Sequence, residues 1–522
     1  MMGLYGNNLF YVVLCTSVLM LQVLWLLLPS GSPVEVTSHA RELLTFAVCS
    51  VLTALTASSF FRLFPGNALP PAEDSSVFLY IGKRMLEGKL PYRDLFDHKG
   101  PILYFIEYLG LRLSHGKTDG VWILEVLNLL WTSALMFRLG LLAANNRSSC
   151  YLAVMMTVIV CGWKVWQGGN FTEEYALPWI TMTALVFFRF FQTGSYRLRD
   201  IFMVGFSFAV VFLLRANMIA VWTAYLPLVL FFFLREKQYS NLGKCAALFV
   251  LGISAVFLPV LVWAEKSGVL PELWEDYILF NFSYTGNAAE QGNSIFQTAL
   301  LFAGVVWPGT VAQLLCLVFD FRNRGQWLNA LFFAISLLAA SMSARGYYHY
   351  AIILLPSIVF PLTVFFDLSG CVWCRLFKKS GVVDYRLILF SFFLAAATVF
   401  LYRMVSPGQL QENQAVQILQ DRTNTQDDVL VLGNNCYYYL EADRKTENRF
   451  FYQLPPLEIS RELYIAFEEE LDRHPPDAVL IPGEEEERER TDFRLKGIRE
   501  KLLSRGYLTE EYDGFELLIH GD

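Results

Sequence analysis

Six residues of one short stretch have types and spacing suited to chemistry: Glu73, Asp74, Asp94, Asp97, His98 and Lys99, between two strongly apolar runs. Only 17% of the chain is charged, so this crowding requires a reason. A carboxylate beside a histidine and a lysine at a water–membrane boundary can supply a general base and a clamp for an anionic leaving group. Asp74 is the candidate base, a role compatible with capping a helix N-terminus. Lys99 and His98 suit a phosphate, against the plainer alternative of a lysine snorkelling at a helix start. Asp94 and Asp97 could hold a metal or the acceptor, or could simply shape the turn around Pro91.

Further polar groups interrupt the apolar chain. Glu173 and Glu174 in Gln167–Glu174 face a cavity or serve as N-terminal helix charges. Arg215 sits amid apolar residues, where an unpaired guanidinium is costly, and calls for a phosphate or carboxylate partner. Arg345, Tyr348 and His349 fit a binding role or an interfacial aromatic belt.

Such groups need a frame, and composition supplies it. The 522 residues are 55% hydrophobic, and apolar runs of about 18–25 residues recur between Leu9 and Met404, each long enough to span a bilayer. The chain reads as a polytopic α-helical membrane protein of about 12 spans. Residues 1–404 form the membrane domain, with 65–100 as its first external loop, and 405–522 a small soluble α/β domain. The runs are 9–28, 43–64, 120–140, 149–166, 172–190, 200–215, 217–234, 243–264, 296–319, 327–344, 348–366 and 387–404. The 101–113 segment is short for a full crossing.

No lysine or arginine precedes the first run, which argues against a cleaved signal peptide. Basic loops between later runs orient the 65–100 loop and the C-terminal domain outside the cytoplasm. Within the loop, Val77, Phe78, Ile81, Met85 and Leu86 share a face, predicting an amphipathic surface helix capped by Asp74 or Ser75. In the C-terminal domain, Val429–Gly433 and Ala478–Ile481 read as strands, 461–472 and 493–503 as helices, and 507–519, around Asp513-Gly514, as a hairpin. The acidic 484–490 segment reads as a solvated helix entry.

A net charge of −7 argues against a nucleic-acid partner. The Cys371/Cys374 pair lacks further zinc ligands at matching spacing. No glycine-rich phosphate loop accompanies the α/β domain.

The run from Asp74 to Pro101, DSSVFLYIGKRMLEGKLPYRDLFDHKGP, resembles the first external loop of family 39-like glycosyltransferases of the GT-C superfamily. These are relatives of the protein O-mannosyltransferases and the lipid A aminoarabinose transferase. GGNFTEEYALP, LLRAN, YYHYAIILLP and DDVLVLGN extend the likeness over nearly the whole chain. The resemblance implies an inverting multi-pass enzyme of the plasma membrane. It would move a sugar from a polyprenyl-phosphate donor to a glycan, lipid or protein acceptor at the outer face. Asp74 maps onto the catalytic carboxylate and Lys99 onto the lipid-phosphate ligand. Two departures stand out: Asp97-His98-Lys99-Gly100-Pro101 replaces a glutamate-lysine-proline-proline type sequence, and Glu73 precedes Asp74 where the mannosyltransferases place their second acid differently. No cofactor is implied with certainty, and a divalent metal is left open. The alternative function is a transporter or flippase of lipid-linked sugars, which would show ionisable residues across the bilayer depth and an internal repeat.

Overall fold

The computed structural model describes residues 54, 57–58, 61–65, 69–282, 294–376 and 414–521. The expected spans at 9–28 and 387–404, most of that at 43–64, and the basic loop up to Arg386 lie outside the described residues. The chain divides into two compact units. One comprises 1–68, 122–259 and 291–408, the other 69–121, 260–290 and 409–522.

The apolar runs become helices. After α1 (Glu73–Leu86) and α2 (Pro101–Leu113) come α3 (Asp119–Ala143), α4 (Arg147–Met155), α5 (Thr172–Thr193), α6 (Leu198–Leu214), α7 (Ala220–Arg235) and α8 (Tyr239–Ser267). There follow α9 (Ile295–Val305), α10 (Trp307–Phe319), α11 (Arg324–Ser341) and α12 (Leu355–Leu376), which a 3-10 turn over Tyr348–Leu354 introduces. Among the described residues, Asp119–Ala143, Tyr239–Ser267 and Tyr348–Ser369 are long and apolar enough to cross a membrane. The 296–319 run is not one straight helix: α9 and α10 meet at 94°. Pro308 explains the break, since it lacks an N–H and its ring clashes with the carbonyl four residues back, so it opens a new helix instead.

Pro178, Pro227, Pro259 and Pro361 stay inside helices, and the first and last of them are compensated in the same way. Pro178 of α5 cannot donate to the Glu174 carbonyl, and the Asn128 side chain of α3 donates to it at 2.7 Å. Pro361 of α12 leaves the Ser357 carbonyl without its helical donor, and Asn329 of α11 donates there at 2.6 Å. A neighbouring asparagine thus restores the bond that proline removes, in an apolar surrounding where an orphan carbonyl is costly. α6 and α8 approach more closely than side chains allow: a Cβ on Gly205 would lie 2.0 Å from the Phe249 carbonyl oxygen, and one on Gly252 2.1 Å from that of Phe202.

In the unit containing 69–121, α1 departs from expectation. Ala72, not Asp74 or Ser75, occupies the N-cap position, so Asp74 sits in the first turn. Nor does the helix lie on a surface, because Ser75 through Gly82 are all buried. Its apolar side packs on α2, where a Cβ on Gly82 would meet Glu107 Cβ at 2.7 Å. Its other side is covered by the C-terminal region: Tyr80 stacks on Tyr439 at 4.6 Å, and its hydroxyl accepts from Thr446 N. Lys83 pairs with Asp443, and Arg84 and Lys89 with Glu447.

The C-terminal region carries a small sheet. Four strands, β1 (Val429–Val431), β2 (Ala478–Pro482), β3 (Tyr507–Tyr512) and β4 (Phe515–His520), order as β1-β2-β4-β3. β1 runs parallel to β2, with Leu430 opposite Val479, and β3–β4 form the hairpin across Asp513-Gly514. Gly514 has φ +79°, a left-handed conformation that glycine adopts without strain. The expected 493–503 helix is instead two, Glu485–Arg494 and Ile498–Ser504, parted by left-handed Lys496 and Gly497. The first of these absorbs the acidic segment.

Candidate active site

Asp94, expected near the chemistry, is held by its own turn. Its carboxylate accepts from Leu90 N at 2.7 Å and from Arg93 at 3.0 Å. Asp97 is buried to 1% exposure and gathers donors from three places. Oδ1 accepts from His98 N at 2.6 Å and from the Tyr452 hydroxyl at 2.7 Å, and Oδ2 accepts from the Tyr104 hydroxyl at 2.7 Å. Burial works against its charge and is the largest single influence on it. The hydrogen bond with His98 and the nearby Lys99 and Tyr452 outweigh burial and hold the carboxyl below the usual aspartate range.

His98 and Lys99 follow directly. His98 Nδ1 lies 3.3 Å from Asp97 Oδ1, and its Nε2 lies 3.0 Å from Lys99 Nζ. The Lys99 ammonium also stands 5.8 Å from the centre of the Phe78 ring, one turn along α1 from Asp74. The backbone beneath is fixed at each step. Phe96 N donates to the Arg449 carbonyl, Asn281 Nδ2 to the His98 carbonyl and the Tyr92 hydroxyl to the Lys99 carbonyl, at 2.7–2.9 Å. Arg449 reaches Asp276 at 2.6 Å, and burial pushes the Asp276 carboxyl up to about 7 in spite of that guanidinium.

Asp74 is half-buried at the start of α1. The Tyr452 phenol is raised well above its usual range, by burial first, then by Asp97, with Asp74 contributing its own charge. Asp74 lies one helical turn before Phe78, whose ring the Lys99 ammonium approaches. Glu73 beside it is exposed and accepts from Asn434 Nδ2 at 2.8 Å, while Ser76 Oγ accepts from Cys436 N at 3.0 Å. Asp74, Asp97, His98 and Lys99 thus share one region in which the 434–452 segment takes part.

A second group of expected residues lies in the other unit. Arg215, at the break after α6, finds a carboxylate: it forms an ion pair with Glu173 and places its guanidinium 4.2 Å from the Tyr350 ring centre. His349 stacks on Phe171 at 4.3 Å, and its Nδ1 lies 2.9 Å from Gln167 Oε1. Glu174 accepts from Asn170 N at 3.0 Å through a side chain with no exposure. The loop carrying these groups takes left-handed φ at every residue from Gln167 to Asn170. At Gly169 a Cβ would lie 2.5 Å from Glu125 Oε1, so only glycine fits. Glu173, Arg215 and His349 are brought together, whereas Arg345 is half-buried in the preceding loop and Tyr348, at the start of the 3-10 turn, is 36% exposed. Among the described residues, no three His, Cys, Asp or Glu side chains converge to hold a metal ion.

Sequence reasoning missed Tyr92, Tyr104, Arg449 and Tyr452. Tyr92 and Tyr104 flank the charged stretch, but tyrosines near a membrane are ordinary. Arg449 and Tyr452 carry no local signal.

Comparison with solved structures defines the class. ArnT from Cupriavidus metallidurans, solved bound to undecaprenyl phosphate, superposes with a TM-score of 0.60 at 11% identity, over 93% of this chain and 100% of that one. The archaeal oligosaccharyltransferase AglB from Archaeoglobus fulgidus, in complex with an inhibitory peptide and a dolichol-phosphate, gives 0.50 at 11% identity over 90% and 74%. The chain shares the fold of these two proteins. The chain belongs to the family described as "Putative competence-induced protein Ccs4 N-terminal domain", which matches residues 35–369. No curated protein matches the sequence.

Proposed function

We propose that this protein is an integral-membrane glycosyltransferase. It takes a sugar from a polyprenyl-phosphate carrier and passes it to an acceptor hydroxyl at the outer face of the membrane. The observation that carries the reading is the Asp97–His98–Lys99 arrangement, a lysine ammonium held by a buried, fully hydrogen-bonded loop in the neighbourhood of Asp74. A phosphate leaving group needs a positive charge already in position as the glycosidic bond breaks, and the incoming hydroxyl needs a base. Lys99 serves the first need and Asp74 the second, with inversion at the sugar carbon. The shared fold with ArnT, solved with undecaprenyl phosphate, supports a lipid-phosphate ligand. The sugar arrives activated and membrane-bound, so no nucleotide-binding fold is required. The Glu173–Arg215–His349 group is a second candidate binding cluster.

The test is release of sugar from defined polyprenyl-phosphate donors by purified protein. Asp74→Asn is expected to lose turnover by at least about a hundredfold while still binding donor, the scale of a positioned general base. Lys99→Met is expected to weaken donor binding by about a hundredfold, leaving it measurable. Unchanged turnover in both variants would refute the assignment, and donor movement across the bilayer without sugar release would indicate a flippase.

A further inference from the structure

His98 stands between two charged groups that favour opposite roles for its two ring nitrogens, with the Tyr452 hydroxyl also 3.5 Å from Nδ1. The Asp97 carboxylate, 3.3 Å from Nδ1, can only accept a hydrogen bond, and the Lys99 ammonium, 3.0 Å from Nε2, can only donate one. A neutral ring satisfies both in one tautomer, with the proton on Nδ1 and a bare Nε2. A doubly protonated ring would set two donors against each other across the Lys99 contact. The Asp97 carboxylate that imposes this is itself clamped at Oδ1 by Tyr452 and at Oδ2 by Tyr104. Tyr452 comes from the C-terminal α/β region, 355 residues further along the chain.

We propose that Asp97, clamped by Tyr104 and Tyr452, fixes His98 as the Nδ1–H tautomer, so that Nε2 accepts a hydrogen bond from one N–H of the Lys99 ammonium and the other two are left to a lipid phosphate. The inference rests on Lys99 as the phosphate ligand. His98 and Tyr452 are then positioning residues, and the C-terminal region is part of the phosphate clamp. Buttressing of a charged ligand by a carboxylate and an imidazole is the arrangement that sets ring orientation in metal sites, here applied to an ammonium. The Lys99 backbone is held at its carbonyl by the Tyr92 hydroxyl, and the side chain is held at its tip by His98. Little rotamer freedom remains to be lost when the ligand binds.

Two measurements on the full-length protein in lipid nanodiscs test this. The first is a double-mutant cycle read by binding of undecaprenyl phosphate. Tyr452→Phe is expected to weaken binding about tenfold, as loss of one charge-assisted hydrogen bond would, and to change nothing further in a Lys99→Met background. Equal losses in both backgrounds would mean that Tyr452 acts only through stability, and would overturn the proposal. The second is 15N NMR of histidine-labelled protein, with the His98 signal assigned by its absence in His98→Gln. An Nδ1–H tautomer is expected, and an Nε2–H or doubly protonated ring would overturn the proposal without reference to any ligand. Binding that is identical in wild type and Lys99→Met, or absent in both, refutes the phosphate reading, and the tautomer then decides the His98 arrangement separately.

Discussion

At Asn329, restoring a backbone donor to Ser357 should offset part of the cost of removing the side chain. The residue is fully buried, and its Nδ2 donates to the Ser357 carbonyl and to Gln313 Oε1, both at 2.6 Å. Ser357 needs that donor because Pro361, four residues on, has no N–H to offer. A buried acceptor stripped of its donor costs about 1–3 kcal/mol, and membrane-embedded hydrogen bonds fall toward the lower end because the unfolded chain also finds partners. Asn329→Ala is therefore expected to cost about 2 kcal/mol. In a Pro361→Ala background the helix supplies its own N–H to Ser357, so the same substitution should cost roughly half as much, leaving only the Gln313 contact exposed to the loss. Reversible unfolding in mixed micelles, followed for wild type, both single variants and the double variant, measures the coupling. An Asn329→Ala cost that is the same with and without Pro361 would refute the account of proline compensation.

Two further outcomes follow from the geometry. Gly205→Val should destabilise the unit containing α6 and α8 by several kcal/mol or force the helices apart, because its Cβ would sit 2.0 Å from a backbone oxygen; a melting temperature unchanged within error would contradict that packing. Asp97 is held below its ordinary value in the folded state, so its contribution to stability is complete above about pH 4 and is lost as pH falls from there toward the folded value. Unfolding measured from pH 7 down to 3 should show this fall in wild type, and Asp97→Asn should be less stable at pH 7 and flatter below pH 4.

The sequence by itself determined where most elements lie. Apolar runs marked α3 through α12 because helical burial needs many consecutive apolar residues, and Asp513-Gly514 marked the hairpin because few residues accept its turn geometry. The crowding of charge around Asp74 and Lys99 was legible for the same reason: in a chain poor in charge, such a cluster has a cost. What covers a given face was not legible. Residues 77–86 show an apolar stripe, but their polar side is also buried, since Tyr80 and Ser76 meet Tyr439, Thr446 and Cys436 from the far end of the chain. The choice of Glu173 as the partner of Arg215, the asparagines that answer Pro178 and Pro361, and the hydroxyl of Tyr452 on Asp97 are likewise tertiary decisions. Periodicity reports which side of an element is apolar. Only the packed chain brings the donor and acceptor that satisfy a buried polar group within 3 Å of each other.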